Sequence, residues 1–210
     1  MTSDVIVLPD DRRLSWHEFG DPDGAPVLYT AGTPVSGLGG AWYDPAARAS
    51  GLRWIALDKP GYGGSDYQRE RSLISWADHL AALAGHLGPD GFALVGESGG
   101  GPFTLAAAHR LADRVGVVAL VASAGGLRSR AERTGQQARI RFYGWLAGNV
   151  PALNAIPFTV LRWSLASPAR RERSLRRAMA TAPNAKRADL PATTRRALPG
   201  RRPSLAQHQL

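Results

Sequence analysis

The chain has 210 residues, 44% of them hydrophobic, and a formal net charge of +9. This length fits a single globular domain with a sizeable core. The sequence contains no cysteine, which excludes a disulfide framework, a thiol nucleophile and thiolate metal sites. The amino terminus lacks the basic and apolar regions of a signal peptide. The longest apolar stretch, 115–126, is shorter than the roughly 20 residues of a membrane span, so we expect a cytoplasmic protein with no membrane span.

The amino-terminal part predicts an antiparallel ribbon. Residues 5–8 and 14–19 form two strand-like segments joined by the turn 9–11, and apolar and polar residues alternate in the second. A turn at 21–24 follows, and the apolar run 27–29 then enters a loop at 31–34.

Strands and helices alternate in the rest of this part. Residues 54–57, 92–95 and 117–121 form short apolar runs typical of buried parallel strands. Between them, Leu73, Trp76, Leu80, Leu83 and Leu87 are spaced to cover one face of a helix, and a second helix is predicted over 102–114. This order indicates an α/β fold with a mostly parallel sheet and flanking helices.

The most informative motif is Gly96-Glu97-Ser98-Gly99-Gly100, which lies between an apolar strand and an Ala-rich helix. Gly-x-Ser-x-Gly in this context is the nucleophile-elbow pattern, in which a sharp turn exposes a serine hydroxyl. Small residues are required at both flanks because strand and helix backbones pack closely there. The alternative is a glycine-rich turn without chemistry.

Two further motifs accompany the elbow, in a definite order. The loop Ala31-Gly32-Thr33-Pro34 follows one strand, and the turn 58–65, Asp-Lys-Pro-Gly-Tyr-Gly-Gly-Ser, follows the next. With these three motifs the chain resembles the α/β-hydrolases, in particular small bacterial serine esterases and peptidases. The loop is similar to that family's His-Gly-x-Pro oxyanion loop, with Ala31 in the place of histidine.

The resemblance implies a mechanism and a set of site residues. Ser98 attacks an acyl carbonyl of a carboxylic ester or amide, and water later hydrolyses the acyl-enzyme. The backbone N–H groups of Gly99 and Thr33 form the oxyanion hole, while Gly96, Gly100 and Gly32 are structural. No cofactor and no metal are implied, because no nucleotide-binding motif and no metal-ligand spacing occur.

The family order is serine, then acid, then histidine, with the last two on loops after further strands. No such strands are predicted after residue 121, so the resemblance implies a chain truncated before its acid and histidine, with a sheet incomplete at its carboxyl-terminal edge. Asp58 and Asp66 are expected to be turn and helix-cap residues. The five histidines are expected to be surface or packing residues: His17, His79, His86, His109 and His208. Such a serine hydrolase is expected to have low activity or none.

The predicted organisation is a hydrolase core over 1–127, a helical cap over 128–182 and a basic tail, expected to be disordered, over 183–210. Residues 128–210 hold 17 of the 26 Lys and Arg. The alternative function is therefore a non-catalytic module that binds an acidic partner through this Arg-rich part. Nucleic acid is disfavoured as that partner, because the run contains no recognised nucleic-acid motif. The oligomeric state is left open.

Overall fold

The computed structural model describes residues 2–125 and 138–150, together with residues 153, 156, 159, 160, 163, 167, 169, 170 and 173. The chain divides into two compact units, with the boundary between residues 126 and 127. The first unit contains the sheet, and the second contains the helix 138–149. The predicted basic tail, 183–210, and most of the predicted cap, 128–182, lie outside the described residues.

Six strands and four α-helices make up the described elements. The strands are β1 (Thr2–Val7), β2 (Arg13–Gly20), β3 (Ala25–Thr30), β4 (Leu52–Leu57), β5 (Phe92–Glu97) and β6 (Val115–Val121). The helices are α1 (Asp44–Ala49), α2 (Leu73–Leu87), α3 (Gly101–Arg110) and α4 (Ala138–Asn149). Short 3₁₀ segments cover 37–42 and 98–100.

The strands form a single sheet in the order β1-β2-β4-β3-β5-β6. β1 and β2 pair antiparallel, as predicted for the opening ribbon, and β2 also runs antiparallel to β4. The other pairs are parallel, with Tyr29 opposite Ala56 on one side and Val95 on the other. The carboxyl ends of β3, β4 and β5 therefore lie together at one edge of the sheet, and the loops that follow them carry the three sequence motifs. The predicted α/β class is confirmed.

The sequence of helix α2 contains a capping signal at each end and an apolar face between them. Ser72 caps the amino end, where its side chain accepts from the Ser75 backbone N–H at 2.9 Å and the Ser75 hydroxyl accepts from the Ser72 N–H. Gly88 ends the helix with φ 83°, a left-handed conformation that glycine adopts without a steric penalty. The predicted apolar face is buried at Trp76, Leu80 and Leu83, but Leu73 lies in the first turn and is 43% exposed.

Apolar layers cover both faces of the sheet. One layer joins β-strand residues such as Leu28 and Ile55 to the buried face of α2. The other packs Tyr29, Trp54 and Phe19 against Ala47 of α1. Because period-2 alternation sends successive side chains to opposite faces, parallel strands flanked on both sides read as continuous apolar runs.

Strand β6 forms the carboxyl-terminal edge of this sheet. It pairs only with β5 among the described strands. Val117, Val118, Leu120 and Val121 are between 39% and 63% exposed.

In the described part of the chain, no helix is long and apolar enough to cross a membrane.

Candidate active site

Ser98 occupies the turn between β5 and α3. The strand ends at Glu97, residues 98–100 make a short 3₁₀ turn, and the helix begins at Gly101. Ser98 has φ 47°, a left-handed backbone conformation that is uncommon for a residue with a side chain. A serine held in this conformation between a buried strand and a helix has the geometry of a nucleophile elbow.

The glycines beside Ser98 are required by close backbone packing. A Cβ on Gly100 would lie 2.2 Å from the Thr30 carbonyl oxygen. A Cβ on Gly96 would lie 2.4 Å from Thr104 Oγ1 and 2.9 Å from Gly101 Cα. All three distances are far inside van der Waals contact, so any other residue at these positions must displace β3 or α3.

The loop at 31–34 lies directly against the elbow. A Cβ on Gly32 would lie 3.1 Å from Ser98 Cβ, and a Cβ on Gly99 would lie 3.3 Å from the Thr33 backbone nitrogen. The loop is closed by a hydrogen bond from the Val35 N–H to the Gly32 carbonyl oxygen at 2.9 Å. The backbone of Thr33 and the residue that follows Ser98 are therefore neighbours, because β3 and β5 are adjacent in the sheet.

Lys59 also binds the 31–34 loop, and the sequence did not predict this contact. Its ammonium group donates to the carbonyl oxygens of Ala31 and of Gly32, the latter at 3.1 Å, and it lies 4.8 Å from the centre of the Tyr62 ring. Burial, reinforced by the nearby Arg71 charge, lowers the pKa of Lys59 to about 8. The only sequence signal was a lysine in the 58–65 turn, two residues after the end of β4.

Asp58 organises the loops around the site through its buried carboxylate. Its oxygens accept from the backbone N–H of Gly37 at 2.6 Å, from that of Gly64 at 3.0 Å and from His17 Nε2 at 3.1 Å. Asp58 therefore lies in the predicted turn and also connects that turn to His17 and Gly37. Asp66 does not cap α2, because Ser72 does. Asp66 instead pairs with Arg13 at 2.9 Å.

Glu97, which precedes the serine, points into an aromatic cluster. Its carboxylate accepts hydrogen bonds from the hydroxyl groups of Tyr29 and, at 3.1 Å, Tyr43. Burial and the neighbouring Glu97 charge raise the pKa of both tyrosines. The ring of Tyr43 also stacks on Trp54 at 5.0 Å. Both described hydrogen bonds of Glu97 come from this cluster, so Glu97 links the turn to the aromatic residues.

The Ser98 hydroxyl has no hydrogen-bond partner among the described residues. The Ser98 carbonyl oxygen accepts from the Ala124 N–H at 2.8 Å, which ties the elbow to the segment after β6. His17 contacts Asp58, and His79 on α2 lies 3.3 Å from Arg12 Nη2. Burial is the main cause of the lowered pKa of His79, which packs edge-on against Trp76.

The remaining histidines do not contribute a partner within the described residues. His86 and His109 lie on the exposed sides of α2 and α3, and His208 lies outside the described residues. The structure thus brings together the elbow, the 31–34 loop and the 58–65 turn. It does not bring a histidine or a free carboxylate to the serine within the described part of the chain.

The Arg-rich segment of the alternative function is largely outside the described residues. Arg170 is described, and its guanidinium lies 4.5 Å from the centre of the Trp163 ring while Nε donates to the Trp163 carbonyl oxygen at 2.9 Å. This arginine is therefore used in a contact within its own unit.

The chain belongs to the α/β-hydrolase fold family, whose sequence model matches residues 35–206. A curated relative is the dihydrolipoyllysine-residue acetyltransferase component of the acetoin-cleaving system of Pseudomonas putida. It is 36% identical over 119 residues, which cover 54% of this chain and 31% of that protein.

Solved structures share the fold. A hypothetical protein from Pseudomonas aeruginosa PAO1 is 29% identical, with a TM-score of 0.55 over 70% of this chain and 52% of its own. A carboxylesterase structure from Nitrososphaera gargenis is 15% identical, with a TM-score of 0.56 over 70% of this chain and 54% of its own. The chain thus spans about half the length of these two proteins.

Proposed function

We propose that this chain is a serine hydrolase scaffold that acts on carboxylic esters or amides through an acyl-enzyme at Ser98. The observation that carries the proposal is the position of Ser98. It is held at φ 47° between β5 and α3, directly against the 31–34 loop. Membership of the α/β-hydrolase family and the fold likeness to a carboxylesterase support the same class of reaction.

In the proposed reaction, Ser98 Oγ attacks the acyl carbonyl and forms a tetrahedral intermediate. The backbone N–H groups of Gly99 and Thr33 stabilise its oxyanion. Because these donors belong to the backbone, Ala31 can stand where the family usually has histidine. Lys59 secures the loop by binding the carbonyl oxygens of Ala31 and Gly32. The leaving alcohol or amine departs, and water then hydrolyses the Ser98 ester.

We propose that turnover is slow. A serine hydroxyl without an adjacent general base is a weak nucleophile at neutral pH. Loss of the triad partners costs about 10⁴–10⁶ in turnover in serine proteases. Ser98 Oγ has no hydrogen-bond partner among the described residues, and this observation supports the proposal.

Covalent labelling tests the proposal directly. The protein is incubated with a fluorophosphonate and digested with trypsin, and the peptide 72–110, which contains Ser98, is analysed by mass spectrometry. Because no general base is described beside Ser98, we expect this peptide to be labelled slowly, over a prolonged incubation with excess reagent, in the wild-type protein and in the control Ser50→Ala, but not in Ser98→Ala. Absence of label on the wild-type peptide, or equal label in Ser98→Ala, would reject Ser98 as the nucleophile.

A further inference from the structure

A second serine lies in a hydrogen-bonded chain of three residues, away from the elbow. Ser3 Oγ is 2.8 Å from His17 Nδ1, and His17 Nε2 is 3.1 Å from Asp58 Oδ2. The three residues come from adjacent parts of the sheet. Ser3 lies directly opposite His17 in the β1–β2 ladder, and the Asp58 N–H donates to the Ser15 carbonyl oxygen where β4 ends.

The surroundings of Asp58 determine which nitrogen of His17 carries the proton. The Asp58 carboxylate is fully buried and already accepts from the backbone N–H groups of Gly37 and Gly64. An ionised carboxylate can only accept, so His17 Nε2 must be the donor in their contact. In the neutral imidazole, Nδ1 then has a free lone pair, which accepts the Ser3 hydroxyl proton.

The imidazole is also held in place. His17 is 7% exposed, and the backbone of Gly37 packs on it so closely that a Cβ there would lie 2.9 Å from His17 Cδ2. Ser3, in contrast, is an exposed residue of the edge strand β1. The chain therefore combines an accessible hydroxyl, an oriented base and a buried carboxylate behind that base, which is the arrangement that activates a serine.

We propose that Ser3 is a second nucleophilic serine, activated by His17 and Asp58, that accepts acyl or phosphonyl groups from activated electrophiles. In the acyl case, Ser3 Oγ forms a bond to the carbonyl carbon while its proton moves to His17 Nδ1. The carbon–oxygen bond to the leaving group then breaks, and p-nitrophenyl acetate would release p-nitrophenolate. Asp58 stabilises the imidazolium formed in this step. The proposal is independent of the proposed role of Ser98.

The test uses the full chain with Ser98→Ala, so that labelling at the elbow cannot contribute. The protein is treated with p-nitrophenyl acetate or a fluorophosphonate, and tryptic peptides are followed over time. Peptide 1–12 contains Ser3, and peptide 49–53 contains the exposed Ser50 as an internal control. We expect Ser3 to react at least about tenfold faster than Ser50, in line with general-base assistance. Fragmentation of peptide 1–12, and loss of its label in Ser3→Ala, distinguish Ser3 from Thr2.

The variant His17→Gln tests the base. Its amide can still donate to Asp58 but cannot take a proton from Ser3. We expect labelling of Ser3 to fall at least about tenfold, with a circular dichroism spectrum like that of the parent. A smaller decrease in the folded variant overturns the proposal. If the variant does not fold, the ratio of Ser3 to Ser50 labelling in the parent decides, and a ratio below about tenfold overturns the proposal.

Discussion

Lys59 is the most unusual single residue near the candidate site. It is a buried cation that binds two backbone carbonyl oxygens of the 31–34 loop. Burial lowers its pKa from 10.5 to about 8, so the folded protein binds this proton less tightly than the unfolded chain does. At neutral pH Lys59 is mostly protonated, and burying it as a cation costs folding free energy.

This shift predicts a pH-dependent contribution to stability. Between about pH 8 and pH 10.5 the unfolded chain holds more of the Lys59 proton than the native chain, so the free energy of unfolding rises with pH. We expect the difference between wild type and Lys59→Met to shift in favour of wild type as the pH rises through that window. Urea unfolding at several pH values measures it. A difference that is flat, or that falls, would show that the pKa is not lowered.

Ser98 is expected to cost stability through its backbone. A non-glycine residue at positive φ is strained by roughly 1 kcal/mol, and Ser98 has φ 47°. We therefore expect Ser98→Gly to be more stable than Ser98→Ala by about 1 kcal/mol, with neither variant labelled on peptide 72–110. Thermal or urea unfolding compares the two. Equal stability of the two variants would mean that the turn relaxes to another conformation.

For single residues, the sequence predicted the features that depend on local pattern and missed the contacts that depend on tertiary packing. The placement of Ser98 in a strand-to-helix turn followed from five adjacent residues. The Asp58–His17 contact joins residues 41 positions apart, and nothing in either local pattern indicates that they meet. Lys59 was missed for the same reason, because its partners are carbonyl oxygens, which every residue carries.

The turn from β5 into α3 depends on the absence of side chains. We expect Gly100→Ala to destabilise the protein by about 1–3 kcal/mol, because the added methyl group would overlap the Thr30 carbonyl oxygen. The matched control is Gly85→Ala in α2, where a Cβ meets no atom within 4 Å. That change should stabilise by about 0.5–1 kcal/mol through helix propensity. Urea unfolding separates the two, and similar effects would contradict the packing argument.

Whole elements were predicted better than their ends. The apolar runs identified β4, β5 and β6, and the two helices predicted between them correspond to α2 and α3. The apolar face of α2 was correct except at Leu73, where the helix has only begun and the residue remains exposed. The helix after the elbow was predicted to reach residue 114 but ends at Arg110, because apolar and Ala-rich composition does not specify where a helix stops.

For the molecule as a whole, β6 is the exposed apolar edge of the described sheet. An unprotected edge of this kind can pair with another strand. We expect Val117→Lys to reduce concentration-dependent self-association in sedimentation velocity experiments, because a lysine opposes edge pairing. The control is Leu105→Lys, which also replaces a half-exposed apolar residue but lies on α3. Equal behaviour of both variants would exclude β6 as the associating edge.

The two edges of the sheet differ, and this limits how copies of the chain can join. β1 begins with exposed Thr2, Ser3 and Asp4, and pairing along it would remove a carboxylate from water. β6 exposes only apolar residues after Val115 and Gly116. Strand pairing is thus favoured between the β6 strands of two copies related by a two-fold axis. In such a pair neither copy has a free β6 edge left. A filament needs unlike edges joined head to tail, so growth from this sheet is expected to stop at a pair.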